Sequence, residues 1–233
     1  ATTPVAKHGR LSVKGADLVD SKGNKFQLRG ISTHGINWDV GSPYVNKKAF
    51  KTLRDDWGVN AIRLAMYTEE YNGYCSGGSQ AKLRKLVDKG VGYATDLGMY
   101  AIIDWHILSD GNPNKNKSQA KKFFTTMAKK YKNNKNVIYE ICNEPNGCGW
   151  KEIKSYATDI IKTIRKYDKK AVIIVGTPTW SQLGTDGTSN EVADSPIKGY
   201  KNIMYSLHFY ASEWAHNEYL PAKVAYARKK KLP

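Results

Sequence analysis

The sequence predicts an α/β protein whose parallel sheet curls into a (β/α)8 barrel, and three observations carry that prediction. Short apolar runs alternate with segments of helical period along the 233 residues. The runs begin near Gln27, Ala61, Tyr100, Val137, Val172 and Met204, at steps of 34, 39, 37, 35 and 32 residues. That is the spacing of successive strand–helix units joined by right-handed crossovers. Polar and aromatic residues stand at the C-terminal end of nearly every run, and they converge on one rim only if the sheet curls into a barrel. The competing architecture, an open doubly wound sheet, lacks its dinucleotide fingerprint, because no GxGxxG follows the first run.

Taken in order, residues 11–28 alternate around two turn signals, Lys14-Gly15 and Ser21-Lys22-Gly23-Asn24, which predicts a small N-terminal hairpin leading into the first strand. The helix from Lys47 to Trp57 stops at Gly58, a natural residue just past a helix end. Ser79 is placed to cap a helix that ends at Gly98, and Ser118 to cap one that reaches about Lys132. The clearest helix runs from Trp150 to Tyr167, where Ile153, Tyr156, Ala157, Ile160, Ile161 and Ile164 fall on one stripe. A last helix is expected from about Glu218 to Lys231. No linker or low-complexity segment divides the chain, so residues 1–233 read as a single catalytic-type domain of about six βα units.

Composition narrows the class. Hydrophobic residues at 40% with 11% aromatics supply a core, and no apolar run is long enough to cross a membrane. Ala1-Thr2-Thr3-Pro4 reads as a mature or expression-derived start rather than a signal peptide. The formal charge of +16 raises the question of nucleic acid, but the lysines pair up on outer helix faces with no nucleic-acid motif beside them, so a solvated basic surface is expected and nucleic acid is not. Cys75, Cys142 and Cys148 form no CxxC pair, so no metal site is expected. Cys142 reads as a core residue; Cys75 and Cys148 lie in Gly-rich loops, and both a disulfide and free thiols fit them.

The chemistry concentrates on the stretch from Val137 to Pro145, a short β-branched and aromatic run that ends in Asn143-Glu144-Pro145. Proline stops the ladder, leaving an amide and a carboxylate side by side at the strand tip. A carboxylate at the end of a buried strand is costly unless it is used or paired. The other runs end similarly: His34 after the first, Arg63 and Tyr67 in and after the second, Asp104-Trp105-His106 at the third, Trp180 after the fifth, His208 and Tyr210 at the sixth.

These residues support a family resemblance. Leu28-Arg29-Gly30-Ile31-Ser32-Thr33-His34-Gly35, Arg63-Leu64-Ala65-Met66-Tyr67, Ile103-Asp104-Trp105-His106, residues 137–146, Ile174-Val175-Gly176-Thr177, Trp180-Ser181-Gln182 and His208-Phe209-Tyr210 resemble, in order and spacing, the endo-β-1,4-glucanases (cellulases) of glycoside hydrolase family 5. The resemblance implies a TIM barrel that cleaves internal β-1,4-glucosidic bonds of cellulose or related β-glucans with retention, using two carboxylates. It implies Glu144 as the acid/base and Asn143 as the residue that binds the sugar 2-hydroxyl. Arg63, His106, His208 and Tyr210 match the shell that supports them. His34, Trp38, Tyr67 and Trp180 match positions that stack on or hydrogen-bond the sugars. No metal or organic cofactor is implied. A polysaccharide substrate outside the cell implies secretion.

The sequence also departs from that family. The nucleophile belongs at the end of a seventh strand in a Ser/Thr-Glu-Trp/Phe-Gly setting, and units of this spacing put strands seven and eight beyond Pro233, where the family's strand-eight tryptophan also belongs. Ser212-Glu213-Trp214 mimics the setting but follows His208 with no strand between, and Ala215 stands where glycine is expected. Two readings follow: an endoglucanase portion whose remaining strands come from elsewhere, such as a second polypeptide, or a β-glucan-binding fragment that hydrolyses nothing because the nucleophile is absent.

Overall fold

The structure is a computed structural model, and it describes residues 2–33, 35–36, 43, 45–184, 186, 189–208 and 214–233, with the side chains of 214–220 left aside. A one-turn helix, α1 (Pro4–His8), precedes a hairpin of β1 (Ser12–Lys14) and β2 (Asp17–Val19). Then come β3 (Gly30–Ser32), α2 (Lys47–Trp57), β4 (Ala61–Tyr67), α3 (Gln80–Asp96), β5 (Tyr100–His106), α4 (Lys117–Tyr131), β6 (Val137–Glu140), α5 (Trp150–Arg165), β7 (Ile173–Val175) and β8 (Ile203–Tyr205). Two short turns, α6 (Pro178–Ser181) and α7 (Glu191–Asp194), lie between β7 and β8, and α8 (Trp214–Lys229) follows. β3 to β8 form one six-stranded sheet in strict sequence order, and every pair is parallel. Each crossover therefore moves one strand along in the same direction, which is how a barrel wall is built.

Alternation along the strands separates two faces. Ile62, Leu64, Met66, Ala101, Ile103, Trp105, Val137, Tyr139, Ile173 and Val175 point outward into the helix layer and form the main core. Ala61, Tyr100, Ile102, Ile138 and Val172 point inward and pack with Val5, Leu11 and Leu18, so the hairpin and α1 plug the N-terminal end of the curl. The Tyr100 hydroxyl donates to the Gly9 carbonyl at 2.6 Å and pins this plug. The next inward layer on the same strands is charged: Arg63 on β4, Asp104 on β5 and Glu140 on β6. Register makes this layer, since Asp104 lies directly opposite Glu140 in the parallel ladder.

Helix ends follow local chemistry. Asn46 and Ser79 cap α2 and α3 with side-chain oxygens, and Gly58 ends α2 at φ +67°, a conformation that glycine adopts without penalty. The expected stripe of α5 is fully buried, and Tyr156 donates to the Ile141 carbonyl at 2.6 Å, which ties α5 to the strand that precedes Asn143.

Several expectations need correction. Ser118 does not cap α4; Asn112 caps a 3-10 turn (Pro113–Asn116) that runs straight into Lys117, so the helix already exists when Ser118 is reached. α8 begins at Trp214, four residues before Glu218. The fourth barrel strand ends at Glu140 rather than at Asn143-Glu144, although the Ile141 amide still donates to the Ile174 carbonyl at 3.0 Å. All three cysteines are free, so Cys75 and Cys148 do not pair. At the sheet's first edge, Gly30, Ile31 and Ser32 are exposed, and Ile31 lines a groove of about 620 Å³ with Phe50, Leu53 and Ile62.

Candidate active site

Arg63 organises the rim above the apolar plug. Its Nε donates to Glu140 Oε1 at 2.8 Å and its Nη2 to Glu140 Oε2 at 2.6 Å, a two-point grip on one carboxylate. Nη2 also donates to Asn143 Oδ1 at 2.7 Å and lies 3.1 Å from Asp104 Oδ2. Asp104 Oδ2 in turn meets His106 Nδ1 in a short contact. The ring of Tyr67 leans on that imidazole, with centroids 4.2 Å apart. One guanidinium therefore serves two buried carboxylates. Burial would lower its pKa, but Asp104 and Glu140 outweigh it and raise the pKa above the usual arginine range. Glu140 is pushed up by burial first and by the neighbouring Asp104 second, with Arg63 pulling the other way. Tyr67 is also raised, by burial and then by Asp104.

Asn143 is fixed from both ends. Arg63 occupies its Oδ1, so its Nδ2 must donate, and it does so to the Ile107 carbonyl at 3.0 Å. Its backbone carbonyl accepts from Ser181 Oγ at 2.8 Å. The adjacent Glu144 turns outward: its Oε2 is 3.0 Å from His208 Nδ1, and both side chains are partly exposed. The Glu144 carboxylate and the His208 ring thus face the open side of the rim, while Glu140 and Asp104 face inward.

The loop after β7 clasps this arrangement. Thr179, Trp180 and Ser181 all have φ between +54° and +61°, a left-handed run that non-glycine residues rarely adopt. Hydrogen bonds tie it to its neighbours, among them Trp180 N to the Pro145 carbonyl at 2.8 Å, Ser181 Oγ to the Asn143 carbonyl, Ser181 N to the Thr177 carbonyl at 2.9 Å, and His208 N to the Ser181 carbonyl at 2.7 Å. Trp180 is left 47% exposed on the same rim as Glu144.

Of the residues singled out from sequence, Arg63, His106, Asn143, Glu144, His208, Tyr67 and Trp180 are brought to this one rim. His34, Trp38, Tyr210 and Glu213 lie outside the described residues. Sequence reasoning missed Glu140, and it named Asp104 at a strand end without giving it a task. The signal was faint: Asp104 and Glu140 each fall two residues after an inward apolar residue, Ile102 and Ile138, so alternation puts both acids on that face. Among the described residues no group of three or more His, Cys, Asp or Glu is placed to hold a metal ion.

Comparison with known proteins gives the family. The family model described as cellulase (glycosyl hydrolase family 5) matches residues 19–232. Endoglucanase A of Butyrivibrio fibrisolvens is 51% identical over 207 residues, covering 88% of this chain and 46% of its own. Endoglucanase 5 of Pectobacterium carotovorum is 48% identical over 230 residues, covering 98% and 43%. The chain thus spans a little under half the length of these curated relatives. Among solved structures, the cellulase Cel5C_n superposes with a TM-score of 0.91 at 40% identity, over 99% of this chain and 70% of that one. The catalytic domain of Thermobifida fusca endoglucanase Cel5A gives 0.84 at 40% identity, over 96% and 72%. A variant of that domain has been solved with cellotetraose.

Proposed function

The chain belongs to glycosyl hydrolase family 5, the cellulase family, and from that premise we propose that its rim is the acid/base half of a retaining endo-β-1,4-glucanase site acting on cellulose or a related β-glucan. The observation that carries the proposal is the pair Glu144–His208 at 3.0 Å, facing outward beside an Asn143 locked by Arg63.

Each residue then has a task. Glu144 gives its proton to the departing glycosidic oxygen, then takes one from the water that releases the sugar. His208 steadies that carboxyl through Nδ1. Asn143, with Oδ1 held by Arg63, presents the second hydrogen of Nδ2 to a sugar 2-hydroxyl. His106 is held by Asp104 and extends the polar wall. Trp180 and Tyr67 offer aromatic faces to the apolar faces of glucose rings. His34, Trp38 and Tyr210 are assigned to the same cleft on the family resemblance alone.

Retention needs a second carboxylate about 5–5.5 Å from the first. Glu140 cannot serve, because Arg63 grips both of its oxygens and it is buried. Activity therefore requires a carboxylate from outside the described residues, and a second polypeptide supplying further strands is one source. We place the protein outside the cell, where its substrate is, and treat residues 1–233 as one domain. Release of reducing sugar from carboxymethylcellulose, abolished in Glu144→Gln, is the expected result. Retention on cellulose with no turnover by the unaltered chain would instead favour the second reading, a β-glucan-binding fragment without its nucleophile.

A further inference from the structure

The chemistry of the rim leaves one buried acid without a task. Glu140 is buried and ends β6, just before Asn143. Its two oxygens take Arg63 Nε at 2.8 Å and Nη2 at 2.6 Å. Charge balance alone does not call for this, because Arg63 already faces Asp104 at 3.1 Å. Burial and the facing Asp104 both penalise the ionised form of Glu140. A second buried acid beside one guanidinium is a poor source of stability, and such groups cluster at functional sites.

What Glu140 supplies is a direction. Among the described residues, Arg63 Nη1 meets only Ser32 Oγ, at 3.4 Å, too long to hold an orientation. Asp104 touches the guanidinium at one point, Nη2, through an oxygen that it shares with His106 Nδ1. The two-point grip of Glu140 therefore sets the plane of the guanidinium. Nη2 has two hydrogens and three oxygens around it: Glu140 Oε2 at 2.6 Å, Asn143 Oδ1 at 2.7 Å and Asp104 Oδ2 at 3.1 Å. Glu140 takes one hydrogen, and the plane it sets leaves Nη2 closer to the neutral Asn143 than to the charged Asp104. A charged acceptor binds more strongly, so a guanidinium free to turn would favour Asp104 and leave Asn143.

We propose that Glu140 is a positioning residue: by fixing the plane of Arg63 it holds Oδ1 of Asn143, and so aims the free hydrogen of Asn143 Nδ2 at the sugar. The other hydrogen of Nδ2 is spent on the Ile107 carbonyl at 3.0 Å. That bond alone pins the amide at one end, and the bond from Arg63 at the other end fixes its plane. The sugar half of this inference rests on the reading of the rim as a glucanase site; the link from Glu140 to Asn143 does not.

The test is nuclear magnetic resonance of the Asn143 side-chain amide, without sugar and with cellotetraose. Glu140→Gln keeps the shape but sets a donor against Arg63, and the Nδ2 protons should exchange with water at least about tenfold faster, the effect of losing one hydrogen bond to a charged group. Glu140→Asp keeps the charge but is a methylene too short to reach both nitrogens, and should show the same gain. Asp168→Asn controls for general loosening. It removes another buried acid, one that accepts from the Tyr139 hydroxyl on the outward face of the sheet, and should leave the exchange within about twofold. Cellotetraose, the sugar solved with the Thermobifida fusca variant, should shift the Nδ2 resonance of the unaltered protein. In both Glu140 variants its affinity should fall at least about threefold. Unchanged exchange in either Glu140 variant, unchanged cellotetraose affinity in both, or equal acceleration in Asp168→Asn would each overturn the proposal. Faster exchange in both Glu140 variants, with no response to cellotetraose in the unaltered protein, would keep the link to Asn143 and remove the glucanase reading instead.

Discussion

Replacing Arg63 with methionine tests the charged layer that supports the rim. The guanidinium lies within 2.6–3.1 Å of two buried carboxylates, and its side chain is 19% exposed. At an effective dielectric near 20, each contact is worth about 4 kcal/mol, against a desolvation cost of several kcal/mol for the ions. Removing the cation leaves Asp104 and Glu140 facing each other, so the net loss should be about 3–5 kcal/mol near neutral pH. For a domain of this size that is a fall in Tm of roughly 6–20 °C. The pH dependence has a definite sign. Glu140 already sits above the usual carboxylate range through burial and Asp104, so protonation stabilises the fold in acid and that contribution is lost as pH rises through its folded value. Without Arg63 the shift grows, and the deficit should be smaller at pH 5 than at pH 8. Urea denaturation followed by circular dichroism at both pH values measures it. A loss below about 1 kcal/mol at pH 8, or one independent of pH, would show that the layer is not a desolvated ion cluster.

Further expectations concern other parts of the molecule. A β-carbon on Gly176 would lie 2.1 Å from the Cys142 carbonyl oxygen and 2.7 Å from Pro145 Cδ, so Gly176→Ala should cost at least about 2 kcal/mol, readable as a shifted denaturation midpoint. Denatured protein without reductant should titrate three thiols. Native Cys75 and Cys148 should react slowly at pH 8, because burial pushes their thiols up to about 12 and about 11; rapid native labelling would contradict this environment. Trp180→Ala should weaken retention on cellulose several-fold while leaving the melting curve within a few degrees, since about half of the residue is already in solvent. If it unfolds the protein instead, the ring is a packing element.

The spacing of apolar runs made the parallel sheet legible, because each run had to be buried and each interval was long enough for a helix. The end of α2 and the start of α3 were legible for local reasons, since Gly58 and Ser79 act within a few residues of themselves. The start of α4 was not, because Pro113–Asn116 forms a 3-10 turn that delivers the chain already coiled at Lys117. Glu144 and His208 could be named from motifs, yet their pairing spans 64 residues and depends on the curl of the sheet. Glu140 was hidden for the opposite reason. It sits inside a strand that otherwise reads as core, and only the register with Asp104 and the reach of Arg63 across the ladder reveal its surroundings.

The left-handed turn at Thr179–Ser181 has a consequence for observing this molecule in solution. Each such residue costs about 1–2 kcal/mol, so the turn persists only while its anchors at Pro145, Asn143 and His208 hold. Loss of those anchors should therefore let the turn relax to ordinary backbone geometry. The Trp180 indole rides on that turn at the water boundary, so its emission colour should report the integrity of the cleft in a denaturant series.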